Sequence, residues 1–152
     1  YEIRLSLVGS EMCIRDSRFD KEGKSVNTHG EYPDAIRWVA QKENVPLIEL
    51  NGMTTMLCDV LGVDGSMKLY VHYPAGTFPG QTREFKDNSH FSTYGAYETA
   101  KCVVEGMKKA KLDIANYLRA DYKGFNPAQP DKFETFKWNL CPFTEIEKPD
   151  GN

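Results

Sequence analysis

Three histidines stand in this sequence, His29, His72 and His90, and only His90 has a carboxylate three residues before it, Asp87, in DNSHFSTYGAYETAK. A carboxylate can accept a hydrogen bond from one imidazole nitrogen, fixing the tautomer and stabilising the imidazolium. The other nitrogen is then able to take a proton from a hydroxyl nucleophile. A short turn between Asp87 and His90 supplies that geometry, and a following helix anchors it. Other chemistries find less support. No H-E-x-x-H, paired C-x-x-C or H-x-H spacing occurs, so no metal site is expected. Cys58 and Cys102 fall on expected helices, where inert packing is the expectation, and the pairing of Cys141 stays open. His29, in NTHGEYP, is expected to hydrogen-bond within its own turn.

The elements that must position the pair follow from periodicity. Arg18–Gly30 is polar and glycine-punctuated, a loop. Pro33 and Asp34 open a helix with Ile36, Val39 and Ala40 on its apolar stripe, ending near Asn44. VPLIEL, from Val45 to Leu50, is apolar on both pleat faces except Glu49 and reads as a buried parallel strand. Met53–Leu61 has helical spacing closed by Gly62, and Tyr70–Gly80 reads as an ordered loop. Ser92 or Thr93 caps a long helix to about Lys109, with an expected buried stripe of Tyr97, Ala100, Val103, Val104 and Met107. A shorter helix follows at Asp113–Leu118. From Arg119 the chain is an irregular aromatic tail with one short strand possible at Thr135–Trp138. This order implies an α/β layered fold in which one central strand cannot form a sheet by itself. The expectation is the C-terminal part of a doubly wound, three-layer domain with a parallel sheet, flavodoxin-like in outline.

Composition narrows the classes. The 152 residues carry a net charge of −3 and offer no basic surface for a phosphate backbone, so no nucleic-acid partner is expected. No apolar run approaches the ~20 residues of a membrane-spanning helix. Eight Tyr, eight Phe and two Trp are too many for a disordered chain. The start, YEIRLSLVGSEMCIRDS, has too short an apolar patch for a signal peptide. Its stretch LVGSEMCIRDS resembles a peptide that recurs when sequencing-adapter DNA is translated. Residues 1–17 are therefore expected to be non-native, against the alternative of a native strand at Glu2–Val8, and the chain to be a C-terminal fragment.

Three blocks in order, VPLIEL, VHYPAGTFPG and DNSHFSTYGAYETAKCVVEG, resemble the SGNH (GDSL-type) hydrolases. More narrowly they are similar to the rhamnogalacturonan acetylesterase-like branch, with the likeness carried by residues 18–118 and compatible with the tail at 119–152. The resemblance implies an SGNH fold and a Ser–His–Asp hydrolase that removes acetyl groups from a pectic backbone. His90 would be the general base and Asp87 its orienting carboxylate. The family's Gly-Asp-Ser nucleophile block and oxyanion-hole blocks have no counterpart here. Gly65–Ser66 is the nearest imitation, but it follows a helix where a nucleophile needs a strand-to-helix turn.

The resemblance carries further expectations. His72 would line the same mouth, and Tyr73 and Phe78, with Tyr70, would offer faces to a sugar, against the alternative that these rings pack the loop onto the core. Arg83 could fork onto a uronate carboxylate or simply be solvated. The expected partner is an acetylated polysaccharide, with no cofactor and an extracellular or periplasmic parent. Two rival functions remain: an SGNH esterase or lipase acting on another acyl ester, and a non-catalytic carbohydrate-binding module using the aromatic loop and tail.

Overall fold

The computed structural model describes residues 19–138. The expected non-native segment 1–17, Cys141 and the end of the tail lie outside the described residues. Five elements follow in order: α1 (Tyr32–Lys42), α2 (Leu50–Met67), β1 (Tyr70–Tyr73), β2 (Phe85–Phe91) and α3 (Thr93–Lys109). Two 3-10 turns, Asp113–Tyr117 and Phe133–Thr135, complete them.

α1 begins where Pro33 permits and ends where Asn44 adopts a positive φ of 52°. α2 is longer than its sequence pattern. Gly62, at φ 68°, interrupts it with a kink that only glycine adopts at low cost, and the helix then resumes to Met67. Leu57 and Cys58 bury one face of α2, while Met56, Val60, Val63 and Met67 are exposed.

The sheet departs from expectation. Among the described residues it is a two-stranded antiparallel pair, β1 with β2, and no parallel strand is present. VPLIEL is not a strand: Val45–Glu49 is irregular and Leu50 already belongs to α2. β-prone residues become a strand only when a neighbour completes the hydrogen-bond ladder, and none lies beside this segment among the described residues. Side chains hold it instead. Arg37 grips Glu49 as a two-pronged fork, Nε to Oε2 at 2.6 Å and Nη2 to Oε1 at 2.8 Å. Conversely, Tyr70–Tyr73, expected as loop, is a strand because β2 returns to pair with it. Thr135–Trp138 forms no strand; Phe133–Thr135 is a 3-10 turn.

α3 matches its expected bounds, and Ser92 caps it by accepting a hydrogen bond from the Gly95 amide at 3.1 Å. Its buried face is only partly the expected one: Val103 packs against the core and Val104 and Met107 are half-buried, but the most buried positions are others. Tyr94, Gly95, Glu98, Cys102 and Gly106 face inward, whereas Tyr97 and Ala100 are exposed. Glycine decides the register. A Cβ at Gly95 would collide with the Leu69 carbonyl, and one at Gly106 with the Ile48 side chain. The two glycines let α3 lie directly against the chain entering β1 and against the irregular 45–49 segment. The core they close contains Leu50, Leu57, Cys58, Leu69, Tyr70, Tyr94 and Cys102.

Candidate active site

Two anchors bring the ends of the β1–β2 ribbon to α3. The Ser92 amide donates to the Leu69 carbonyl at 2.9 Å, and Ser92 Oγ donates to the Lys68 carbonyl at 2.6 Å. Tyr70, 2% exposed, stacks on Phe91 at 5.6 Å. Tyr70 is thus a core residue and offers no face to a ligand, contrary to one reading of the sequence.

Between these anchors the register breaks. Tyr70 pairs with Phe91, but the next residue, Val71, pairs with Asp87. One step on β1 therefore spans four on β2, and Asn88, Ser89 and His90 bulge out of the ladder. Asp87 organises the bulge. Its Oδ1 accepts the backbone N–H groups of Ser89 at 2.7 Å and His90 at 2.8 Å, and its Oδ2 lies 2.6 Å from His90 Nδ1. The His90 amide, then the Ser89 amide and the His90 ring, stabilise the ionised form and hold the Asp87 carboxyl down to about 2. A carboxylate only accepts, so neutral His90 must carry its proton on Nδ1 and present a bare Nε2 lone pair. The His90 side chain is 75% exposed, and Nε2 has no hydrogen-bond partner among the described residues. A base oriented from behind and open in front is the arrangement that proton abstraction from a hydroxyl requires.

His72 lies on β1 opposite Lys86, and its Nε2 is 2.6 Å from Asn88 Oδ1, the first residue of the bulge. The amide oxygen accepts, so His72 donates from Nε2. Asn88 went unremarked in the sequence, where nothing distinguishes it from any polar residue of a turn. Tyr73 and Phe78 meet edge-on at 5.1 Å, so each packs on the other. Their loop is organised by Gln81, whose Nε2 donates to the carbonyls of Pro74 at 3.0 Å and Arg83 at 2.7 Å, while its Oε1 accepts the Phe78 amide at 3.1 Å. Arg83 is exposed and forms no salt bridge among the described residues. Ser66 is fully buried and donates to the Val63 carbonyl, a position from which it cannot meet a substrate. His29 sits in its turn, its backbone amide bonded to Asn27 Oδ1 at 2.9 Å. No cluster of three or more metal-ligating side chains occurs among the described residues.

Glu98 is the other functional-looking group that sequence reasoning passed over. Its side chain is 0% exposed, with Lys101 Nζ 2.8 Å away, and burial raises its carboxyl above the usual range against the pull of Lys101. Lys101 also reaches Asp131 Oδ2 at 2.8 Å and so ties the tail to α3. The available signal was position: Glu98 lies one helical turn from both Tyr94 and Cys102, on the buried face.

The comparison with known sequences bears on this geometry. Over 105 residues the chain is 36% identical to the rhamnogalacturonan acetylesterase RhgT of Bacillus subtilis, a match covering 69% of this chain and 45% of the relative. The chain is a homologue of rhamnogalacturonan acetylesterase. The resemblance carried by the three sequence blocks, to the rhamnogalacturonan acetylesterase-like SGNH hydrolases, is thereby shown. The chain spans under half the length of this acetylesterase relative. No protein-family model matches the chain, and no solved structure matches it.

Proposed function

We propose that this chain supplies the His–Asp part of a Ser–His–Asp carbohydrate esterase that deacetylates a pectic polysaccharide. One observation carries the reading: in a homologue of rhamnogalacturonan acetylesterase, Asp87 orients a solvent-facing His90 at 2.6 Å. His90 Nε2 takes the proton from a serine hydroxyl as it attacks the ester carbonyl, then returns it to the leaving sugar oxygen. Asp87 keeps the ring in the required tautomer and stabilises the imidazolium. His72 acts on the bulge through Asn88, and Tyr73 and Phe78 shape the adjoining loop. No cofactor enters this chemistry.

The nucleophile and oxyanion hole belong to sequence blocks not identifiable in this chain, so the chain alone is expected to be inactive. The complete domain in this reading is the doubly wound, three-layer SGNH fold with its parallel sheet. The exposed α2 face of Met56, Val60, Val63 and Met67 and the unpaired Val45–Glu49 segment support it as surfaces such a sheet would cover. The parent enzyme works outside the cytoplasm on acetylated polysaccharide. No described helix is long and apolar enough to cross a membrane.

A fusion tests the reading. Residues 18–152 are joined behind the N-terminal part of the Bacillus acetylesterase, and acetate release from acetylated rhamnogalacturonan is measured. The fusion is expected to release acetate, and His90→Ala to lower turnover by at least about 10³-fold. An active fusion indifferent to His90→Ala contradicts the assignment, as does p-nitrophenyl acetate hydrolysis by the chain alone that depends on Ser66.

A further inference from the structure

The bulge that presents His90 also presents a second polar group, one that proton transfer leaves unused. Asn88, Ser89 and His90 stand outside the ladder, between the pairs Tyr70–Phe91 and Val71–Asp87. Asn88 is the bulge residue tied to β1: its Oδ1 accepts the proton of His72 Nε2 at 2.6 Å, across a separation of 16 residues. That bond settles which way the carboxamide is turned. With Oδ1 committed to His72, Nδ2 carries two N–H donors and meets no hydrogen-bond partner among the described residues. The donors are not sealed in either. Asn88 is half-buried, and the buried side-chain atoms left without hydrogen bonds lie elsewhere, at Thr28, His29 and Glu98, so Asn88 Nδ2 is open to solvent.

An open donor pair at this place has a specific use. Asn88 precedes His90 by two residues, a Cα separation of at most about 7 Å, and both belong to one bulge pinned at Asp87 and Phe91. His90 Nε2 is the atom that returns a proton to the leaving alcohol oxygen, so that oxygen has to come within hydrogen-bond reach of Nε2. Side chains flanking His90 then meet the atoms next to the leaving oxygen. In a sugar ester these include the oxygen on the neighbouring ring carbon, an acceptor whether it is a hydroxyl or an ether. A simple alkyl ester has none. His72 holds the carboxamide in place before any ligand arrives, which lowers the ordering cost of the contact.

We infer that Asn88 determines specificity at this site: its Nδ2 donates to the oxygen vicinal to the ester on the leaving alcohol, with His72 as the positioning residue that sets the amide. The inference rests on the proposed esterase reading for the alcohol being bound beside His90. It goes beyond that reading by assigning a substrate-contacting side chain and the feature of the alcohol that it reads. The site thereby favours monoesters of vicinal diols, and of their monoethers, over esters of plain alcohols.

Two measurements test it. The first uses the full 152-residue chain and needs no activity. A nitrogen-15 spectrum at a pH where His72 is neutral is expected to show the proton on His72 Nε2. A bare Nε2 means that Asn88 Nδ2 is spent as the donor to His72, and overturns the inference. The second uses the fusion and a matched pair of acetates, cis-2-methoxycyclohexyl acetate and cyclohexyl acetate, which differ by a single acceptor oxygen. The kcat/KM ratio is expected to favour the methoxy ester by about tenfold, the size of one net hydrogen bond. Asn88→Asp keeps an oxygen for His72 but has no donor to offer, and is expected to lower that ratio at least fivefold, as is Asn88→Ala. A ratio near one in the unaltered fusion, or one that either variant leaves unchanged, overturns the inference and leaves the esterase reading standing. A fusion that releases no acetate, or whose activity ignores His90→Ala, takes down that reading and the inference with it.

Discussion

Asp87 engages His90 twice, holding its backbone amide at Oδ1 and its ring Nδ1 at Oδ2, 2.8 and 2.6 Å away. The same carboxylate thus shapes the bulge and aims the imidazole that the bulge presents. A substitution at Asp87 disturbs both, whereas one at His90 leaves the backbone part intact.

That asymmetry is measurable. The folded Asp87 carboxyl sits at about 2, below its ordinary 3.8, so its contribution to the fold is complete above the ordinary value and is lost as pH falls toward 2. A carbon-detected carboxyl titration is expected to give a midpoint near 2 in the intact chain. In His90→Ala the two amide donors remain, so the midpoint rises yet stays below 3.8. An ordinary midpoint in the intact chain contradicts the bulge geometry.

His72 should matter through its Nε2 proton. In His72→Phe, Asn88 Oδ1 loses its donor, a loss worth about 1–2 kcal/mol of stability, and the His90 resonances should shift or broaden. His72→Gln, which offers an amide donor at comparable reach, should keep both closer to the original. Equal behaviour of the two variants in thermal unfolding and in NMR spectra would dismiss the positioning role.

The junction of α3 with β1 should be intolerant. A Cβ at Gly95 meets backbone at Leu69, which cannot rotate away, so Gly95→Ala is expected to cost at least about 3 kcal/mol in denaturant unfolding. Ser92→Ala removes the cap on Gly95 and the donor to Lys68, and is expected to cost about 1–2 kcal/mol. A silent Gly95→Ala would mean that α3 does not lie where it is described.

These same residues mark how far the sequence could be read. Ser92 and Pro33 announced their helices because capping and ring geometry are local, and Asp87–His90 announced a turn because the partners are three residues apart. The stripe on α3 was legible at Val103 and missed at Tyr97 and Ala100, because apolar periodicity has no sight of glycine. Gly95 and Gly106 face the core as the sites of closest approach, and Glu98 lies between them. VPLIEL carries strand propensity, but pairing is non-local, and Arg37–Glu49 held it without a partner. The bond from His72 to Asn88 joins residues 16 apart and had no local signature.

Glu98 gives a pH signature of opposite sign to Asp87. Burial raises its folded carboxyl above 4.5, so the folded state binds more protons and stability declines as pH rises through the interval above 4.5. Glu98→Gln leaves Lys101 paired with Asp131 alone, one cation to one acid. The variant is expected to melt at the same temperature or higher at pH 7, with the difference closing below pH ~4. A large loss of stability at pH 7 would mean that Lys101 needs both acids.

The account depends on which nitrogen of His90 holds the proton. A nitrogen-15 spectrum of the imidazoles at a pH where His90 is neutral reads this directly. The account predicts a protonated Nδ1 and an unprotonated Nε2 at His90, with the Nδ1 proton lost from Asp87 contact in Asp87→Ala. A protonated Nε2, or an even mixture of tautomers unchanged by Asp87→Ala, would contradict it.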